Sequence, residues 1–567
     1  MTPMRRNAVR IAPLCVALSL AMGAGAAHAQ VRTPPNSGQI LQEVPKPSTQ
    51  PPPSNLGLTV EPQQKQNQAD NTTTFLVRTI QITGNTELPT DMLHALVADG
   101  EGKNLTLRDL NALADRISDA YHKRGYPLAT AYVPAQTIKD GVVRIDVAEA
   151  RYGNVTVNNR STVSNSLLGS TISPLQSGQP VTEYSLERSL LLMSDIPGAT
   201  VNSTLRPGEA VGTSDLAVDV TPQPRYTGEI GLDNYGNTYT DPVRADGDFS
   251  VNGLFHHGDV FTVSGVTSGS GMKYGRVDYR FLLNGWGTTV GATVSGLDYK
   301  LKDDLSDLDA HGTATVRGAT LAQPIIRNTR GNLYLQVEYD HRRLYDDIDI
   351  IDLENHRHSN SWTATLAGDQ LDSTGITNAR VSATYGHLYL DNFQTELIDY
   401  LGAQTAGSYT KITYSISRLQ QLNPTNAFYL GFLGQHANKN LDSSEQFYLG
   451  GPDSVRGYEV SVLAGAEGNL ATIEYRHDTS IALFPGRWQF SVFADSGRIQ
   501  PYKNDFLAGP NSARLNSVGV GFHWSGAGGW IVASNVGVPI GNTPQLLGST
   551  ASPAFARFWF EVRKGFY

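Results

Sequence analysis

The chain carries little that could do covalent chemistry. Its one cysteine, Cys15, lies in the N-terminal apolar run, so no disulfide or thiolate metal site is expected downstream. Neither a G-x-S-x-G nucleophile elbow nor a GxxxxGK[ST] phosphate loop occurs. His256-His257 is an isolated pair without metal-ligand spacing, and the carboxylates are scattered. The reading is therefore no enzyme, no cofactor and no metal. What the sequence does offer is the material for one buried ion pair. The stretch YLGGPDSVRGYE (Tyr448–Glu459) holds Val455-Arg456-Gly457-Tyr458, and FSVFADSG (Phe490–Gly497) follows. Alternation across the second segment places Trp488, Phe490, Val492 and Ala494 on one face. Gln489, Ser491, Phe493 and Asp495 fall on the other. An arginine and a carboxylate can pair through two parallel hydrogen bonds, which fixes geometry as well as charge. Two readings stand side by side at this level: Arg456 reaches Asp495, or Arg456 lies in a solvated loop while Asp495 lines a wet pore.

The elements that would position this pair are strands. After Tyr226 helical periodicity disappears and two-residue alternation takes over. In LYLQVEYD (Leu333–Asp340), Leu333, Leu335, Val337 and Tyr339 oppose Tyr334, Gln336, Glu338 and Asp340. KITYSIS (411–417) and SVGVGFHW (517–524) repeat the pattern. About sixteen segments near the ~10 residues of a tilted membrane strand are expected: 226–234, 246–253, 258–268, 273–283, 287–300, 311–323, 331–343, 360–371, 378–391, 408–420, 425–437, 467–478, 486–496, 514–525, 528–538 and 556–567. Most connections after even-numbered strands are short. Most of those after odd-numbered strands are long: 344–359, 392–407, 438–466, 497–513 and 539–555. Outer-membrane barrels have that asymmetry, with short periplasmic turns. No stretch after the N-terminus is apolar enough for a membrane helix, so a closed barrel at 225–567 is the remaining way to span a bilayer. All 6 Trp lie beyond Tyr226, as interfacial girdles require. RFWFEVRKGFY ends the chain as a strand with Phe558, Phe560 and Val562 facing lipid.

Upstream, Arg5, Arg6 and Arg10, an apolar run at 11–26 and Ala27-His28-Ala29 read as an export signal at 1–29. The apolar run falls short of the ~20 residues of a membrane helix. In the segment 30–74, SGQILQEV (Ser37–Val44) has the makings of two helical turns with Asn36 or Ser37 as N-cap. Pro45, Pro47 and Pro51–Pro53 then make a semi-extended linker. Composition alone reads this segment as linker. Residues 75–150 show a β-α-α-β-β order, with Leu107, Leu110, Ala114, Ile117 and Tyr121 on one helical face, Thr106 as cap and Gly125 as stop. A looser copy at 151–224 supplies a strand, a helix at Thr182–Asp195 and two strands. With a net charge of -9, nucleic acid is not the expected partner.

Together these pieces resemble the Omp85 superfamily. More closely, they resemble the TpsB transporters of two-partner secretion, the haemolysin secretion/activation group. The carriers of the likeness are the two POTRA-like units, the barrel, the VRGY loop, the Phe490–Gly497 segment and LDNYGN (Leu232–Asn237). The resemblance implies that Val455, Arg456, Gly457 and Tyr458 fold back into the barrel and meet Asp495 and Gly497 on its wall. It implies a lumenal plug helix around Gln39, Ile40 and Leu41, and an outer-membrane location with periplasmic N-terminal domains. The implied partners are an unfolded exoprotein taken up by the POTRA units, outer-membrane lipid, and the barrel-assembly machinery that reads the C-terminal strand. The alternative within the superfamily is an outer-membrane protein insertase.

Overall fold

The computed structural model describes residues 34–45, 56–60, 73–210, 212–255, 257–481, 484–547 and 554–566. The expected export signal, Cys15, Pro51–Pro53, His256 and Tyr567 lie outside these residues.

Sixteen antiparallel strands close a barrel, from Tyr226–Asp233 to Arg557–Phe566. Closure runs from Gly228 opposite Phe566 to Asp233 opposite Glu561. Strand eight, Leu353–Asp372, shows why these residues form a wall. Trp362 and Leu366 point outward at 57% and 47% exposure, while Arg357, Ser359, Ser361 and Thr365 on the other face are buried. A period of two thus separates a lipid-facing surface from a polar lumen.

One expectation about the connections fails. The supposed long loop 344–359 is mostly strand: Gly331–Ile348 and Leu353–Asp372 pair through to Ile348 opposite Leu353. The polar sequence DDIDIIDLENHRH reads as loop, but an extracellular strand extension has solvent on its outer face and needs no apolar one. The wall is accordingly uneven. Strands six to ten run 16 to 20 residues, whereas the first three run 8 or 9.

Two α+β units precede the barrel. In the first, strands Thr79–Thr83, Val142–Ala148 and Thr130–Tyr132 form one sheet under helices Thr90–Ala95 and Leu107–His122. Thr106 and Asp109 form a reciprocal capping box on the longer helix, worth ~1 kcal/mol. Its buried Leu110, Ala114, Ile117 and Tyr121 pack on Ile80, Val143 and Ile145. Glu149 ends this unit. It accepts hydrogen bonds from the Thr86 and Glu87 amides (2.6 and 2.7 Å) and the Tyr121 hydroxyl (2.7 Å). Burial pushes its carboxyl up, but these donors outweigh burial and hold it below the usual range.

In the second unit, Arg151–Asn159, Ala199–Pro207 and Thr213–Pro222 form the sheet. Besides the expected helix, now Glu183–Ser194, it has a second one, Asn165–Ile172, absent from the sequence reading. That helix is short and contains Gly169 and Thr171, poor helix formers. Burial of Leu167, Leu168 and Ile172 holds it, and the Ser164 cap was its one local signal. A fourth strand comes from the linker: Leu58–Val60 pairs in parallel with Ser203–Leu205 along the sheet edge.

This unit sits on the short-turn end of the barrel. Arg327, at the end of strand six, donates to Asp195 at 2.8 and 2.7 Å, and Arg188 donates to the Pro324 and Ile325 carbonyls. At the 283–288 turn, a side chain on Gly285 would come within 2.5 Å of the Thr171 amide. The second unit thus lies against the turns at 283–288 and 324–330.

Candidate functional site

The loop 438–466 turns into the barrel, and its Arg456 is buried against the wall. Its Nε and Nη2 donate to Asp495 Oδ2 and Oδ1 at 3.0 and 2.9 Å, and its backbone amide reaches Oδ2 at 3.2 Å. The remaining guanidinium nitrogen, Nη1, donates to Glu474 Oε2 at 2.8 Å. The guanidinium carbon lies 3.3 Å from the centre of the Phe493 ring, a cation–π contact. Thr472 and Ser517 hydroxyls donate to Asp495 at 3.1 Å each, and Trp559 Nε1 donates to the Arg456 carbonyl at 2.8 Å. Every member faces the lumen by strand alternation from strands twelve, thirteen, fourteen and sixteen. A buried arginine needs such a cage, because removing one partner of a buried pair costs ~3–5 kcal/mol.

The neighbours of Arg456 explain the motif. Val455 and Tyr458 are buried with Leu449, Leu470, Ile499 and Leu515. A side chain on Gly457 would come within 2.8 Å of the Pro539 amide nitrogen, and one on Gly497 within 2.7 Å of Leu449 and 3.0 Å of Val455. Both glycines are therefore sites of close approach between loop and wall. Of the two sequence readings for Arg456, the geometry has the inward one.

The helix Ser37–Glu43 lies inside the barrel near its long-loop end. Asn36 caps it by accepting from the Gln39 amide at 3.1 Å. Ile40 is fully buried, and with partly buried Leu41 it packs against Leu297, Tyr299, Ala314 and Leu344. Gln39 instead bonds along the helix to Glu43 at 3.1 Å. At the helix start, the Ser37 amide and hydroxyl donate to Asp346 at 2.6 and 2.9 Å. At its end, Arg244 donates to the Glu43 carbonyl at 2.8 Å and Asn237 to its carboxylate at 3.1 Å. The LDNYGN segment thereby acquires three contacts. Asp233 pairs with Arg244 at 2.9 Å, Asn237 reaches the helix, and Asn234 bonds the Phe560 amide and Phe558 carbonyl across the closing seam.

The foot of the same loop flanks this helix. Asp442 accepts from Arg357 Nε at 2.7 Å, while Arg357 Nη1 donates to Asp346 at 2.6 Å. Glu445 pairs with Arg342 and, at 2.8 Å, with Lys411. Ser443 donates to Asn36 at 2.7 Å, and Gln42 donates to the Ser444 carbonyl. Helix and loop thus share one wall through Asp346 and Arg357. Sequence reasoning missed this second cluster, together with Glu474, Ser517 and Trp559. Nothing local signalled which lumenal charges meet.

Two family models match the chain. Haemolysin secretion/activation protein ShlB/FhaC/HecB covers residues 212–523, and the ShlB-type POTRA domain covers 75–150. The heme/hemopexin transporter protein HuxB of Haemophilus influenzae is 30% identical over 476 residues, 82% of this chain and 84% of its own length. The outer membrane transporter CdiB of Escherichia coli is 23% identical over 449 residues, 75% of this chain and 72% of its own. Among solved structures, CdiB from Escherichia coli superposes with a TM-score of 0.69 at 20% identity, covering 89% of this chain and 93% of that one. CdiB from Acinetobacter baumannii gives 0.61 at 15% identity, covering 98% and 97%.

Proposed function

We propose, since this chain belongs to the ShlB/FhaC/HecB family of haemolysin secretion/activation proteins, that its Arg456 loop and lumenal helix form the gate of a protein-secreting barrel. The chain is an outer-membrane transporter that secretes a partner exoprotein, with its N-terminal domains in the periplasm. The observation that supports the gate is the shared wall. Arg357 bonds both Asp346, which holds the Ser37 end of the helix, and Asp442, which holds the loop. Filling of the lumen by helix and loop corresponds to the resting state.

An unfolded exoprotein meets the periplasmic units first. The strand edges of their sheets can bind extended chain through main-chain hydrogen bonds with little demand on sequence. In the second unit that edge is covered by the linker strand Leu58–Val60, so cargo docking there displaces the linker. Release of the helix from Asp346 and Arg244 then opens the path, while Arg456 keeps the loop tip on the wall. Folding of the cargo outside supplies the direction. The C-terminal strand, with Phe558 outward at 58% exposure, serves as the signal to the assembly machinery.

Of the two curated relatives described, the Haemophilus protein shares more sequence, which makes haem/hemopexin-related cargo the first to try. The test is secretion by an Arg456→Ala variant. Barrel insertion, read by heat-modifiable mobility, should be normal, and cargo in the medium should fall at least ~10-fold, given the ~3–5 kcal/mol at stake in a broken buried pair. Normal secretion would remove the loop from the mechanism.

A further inference from the structure

The outer surface of the tall wall carries a feature that transport does not use. On strands seven, eight and nine the outward residues follow one order toward the long-loop end. Strand seven reads Leu335, Val337, Tyr339, His341, Arg343. Strand eight, read in the same direction, gives Leu366, Ala364, Trp362, Asn360, His358. Strand nine gives Val381, Ala383, Tyr385, His387, Tyr389. These residues share one face, because Tyr339 stands opposite Trp362, Trp362 opposite Tyr385 and His358 opposite Tyr389. Leu366, Val381, Trp362 and Tyr385 on it are all exposed. Aliphatic, then aromatic, then cationic is the order of a bilayer half: hydrocarbon, interface, headgroup. The second unit packs on the opposite, short-turn end, so the cationic end faces the outer leaflet.

Arg317 on strand six stands opposite His341, and Arg343 follows two residues along strand seven. Cross-strand and diagonal neighbours of this kind lie ~5–8 Å apart. Both arginines are exposed, and among the described residues neither has a carboxylate within ion-pair distance. The Arg343 Nε instead lies 3.3 Å from His341 Nε2, and His387 lies 2.9 Å from the Ser408 hydroxyl. Carboxylates sit further out and are already engaged: Asp391 with His358 at 2.6 Å and Asp347 with His356 at 2.9 Å. His358 and His387 also lie against the Tyr389 ring at 4.6 and 4.4 Å. Arginine forks without an internal anion, at headgroup level on a lipid-facing surface, suit a phosphate.

We propose that Arg317 and Arg343, flanked by His341 and His387, bind the phosphorylated diglucosamine headgroup of lipopolysaccharide in the outer leaflet. Two arginines match a doubly phosphorylated sugar headgroup better than a single phosphodiester. The ring edges of Tyr389 and His387 present polar atoms to the sugar. The site is separate from the lumenal gate.

The full chain in zwitterionic detergent is titrated with bis-phosphorylated lipid A, and bound lipid is read by native mass spectrometry. Wild type should bind. The double variant Arg317→Ala/Arg343→Ala should bind at least ~10-fold more weakly, as loss of charge-assisted hydrogen bonds requires. Lys273→Ala, an outward-facing cation elsewhere on the barrel, should match wild type. Heat-modifiable mobility shows that each variant is folded. Equal binding by the double variant overturns the site. So does undiminished binding of lipid A stripped of its phosphates, a result that needs no variant. Equal binding of phosphatidylglycerol by wild type would overturn the glycolipid as occupant.

Discussion

The loop 438–466 is held at two places, and the charges are reversed between them. At its tip the loop supplies the cation, Arg456, and the wall supplies Asp495 and Glu474. At its foot the loop supplies Asp442 and Glu445, and the wall supplies Arg357, Arg342 and Lys411. The surroundings differ too. The tip is sealed by Phe493, Trp559 and the buried Val455 and Tyr458, and the other donors to its carboxylates, Arg476 on Glu474 and Thr472 and Ser517 on Asp495, all belong to the wall. The foot shares Arg357 and Asp346 with the Ser37–Glu43 helix. One attachment is self-contained; the other is coupled to the helix that leaves in the proposed gating. In that proposal a fixed tip and a releasable foot let the loop stay in the barrel while the lumen clears.

The largest expected effect is at the tip. Arg456→Ala leaves Asp495 buried without its counter-cation, with only the Thr472 and Ser517 hydroxyls and the residue-456 amide, a loss of ~3–5 kcal/mol. That is enough to depopulate the docked loop more than ~100-fold. Secretion should collapse while barrel insertion persists. Asp495→Ala should look the same, and the double variant should be little worse than either single one, because they remove one interaction. Additive losses would show that Arg456 and Asp495 act separately.

Arg357→Ala should break the comparison from the other side. It strands Asp346 and Asp442 together, and the relief available is departure of the helix or the foot. Planar-bilayer conductance and entry of large antibiotics should rise clearly above wild type, with secretion retained in part. If Arg357→Ala instead abolishes secretion as Arg456→Ala does, the foot is an anchor of the same kind as the tip.

How much of this was legible in the sequence follows the same division. Strand alternation gave sixteen strands and the inward side of Asp495, because period two is written locally in every strand. Gly457 and Gly497 were marked by the family resemblance of the VRGY and Phe490–Gly497 segments. The foot was illegible. Asp442, Ser443 and Glu445 form a polar, loop-like run, and their wall partners Lys411, Arg357 and Arg342 lie 34 to 103 residues away on a wall whose curvature decides who meets whom. The extension of strands seven and eight was hidden for a related reason. Above the membrane no apolar face is required, so the pattern that identifies strands ends before the strands do. Leu58–Val60 was hidden by brevity, since three residues in a polar linker carry no period.

The smallest expected effect sharpens the comparison most, because it touches the helix and leaves both sets of ion pairs between loop and wall intact. Asn36 caps the helix through the Gln39 amide and also accepts from Ser443 of the loop foot. Asn36→Ala removes a cap worth ~1 kcal/mol, about a fivefold shift in an opening equilibrium. Channel openings should become several-fold more frequent at unchanged single-channel conductance, with normal barrel insertion. A Ser37→Ala change should act in the same direction, since it removes the hydroxyl bond to Asp346 but keeps the amide one. Combined with Arg357→Ala, Asn36→Ala should add little, because a helix already released has no cap left to lose. Full additivity would mean that helix and foot open independently, and the shared wall would then be a contact without a coupling.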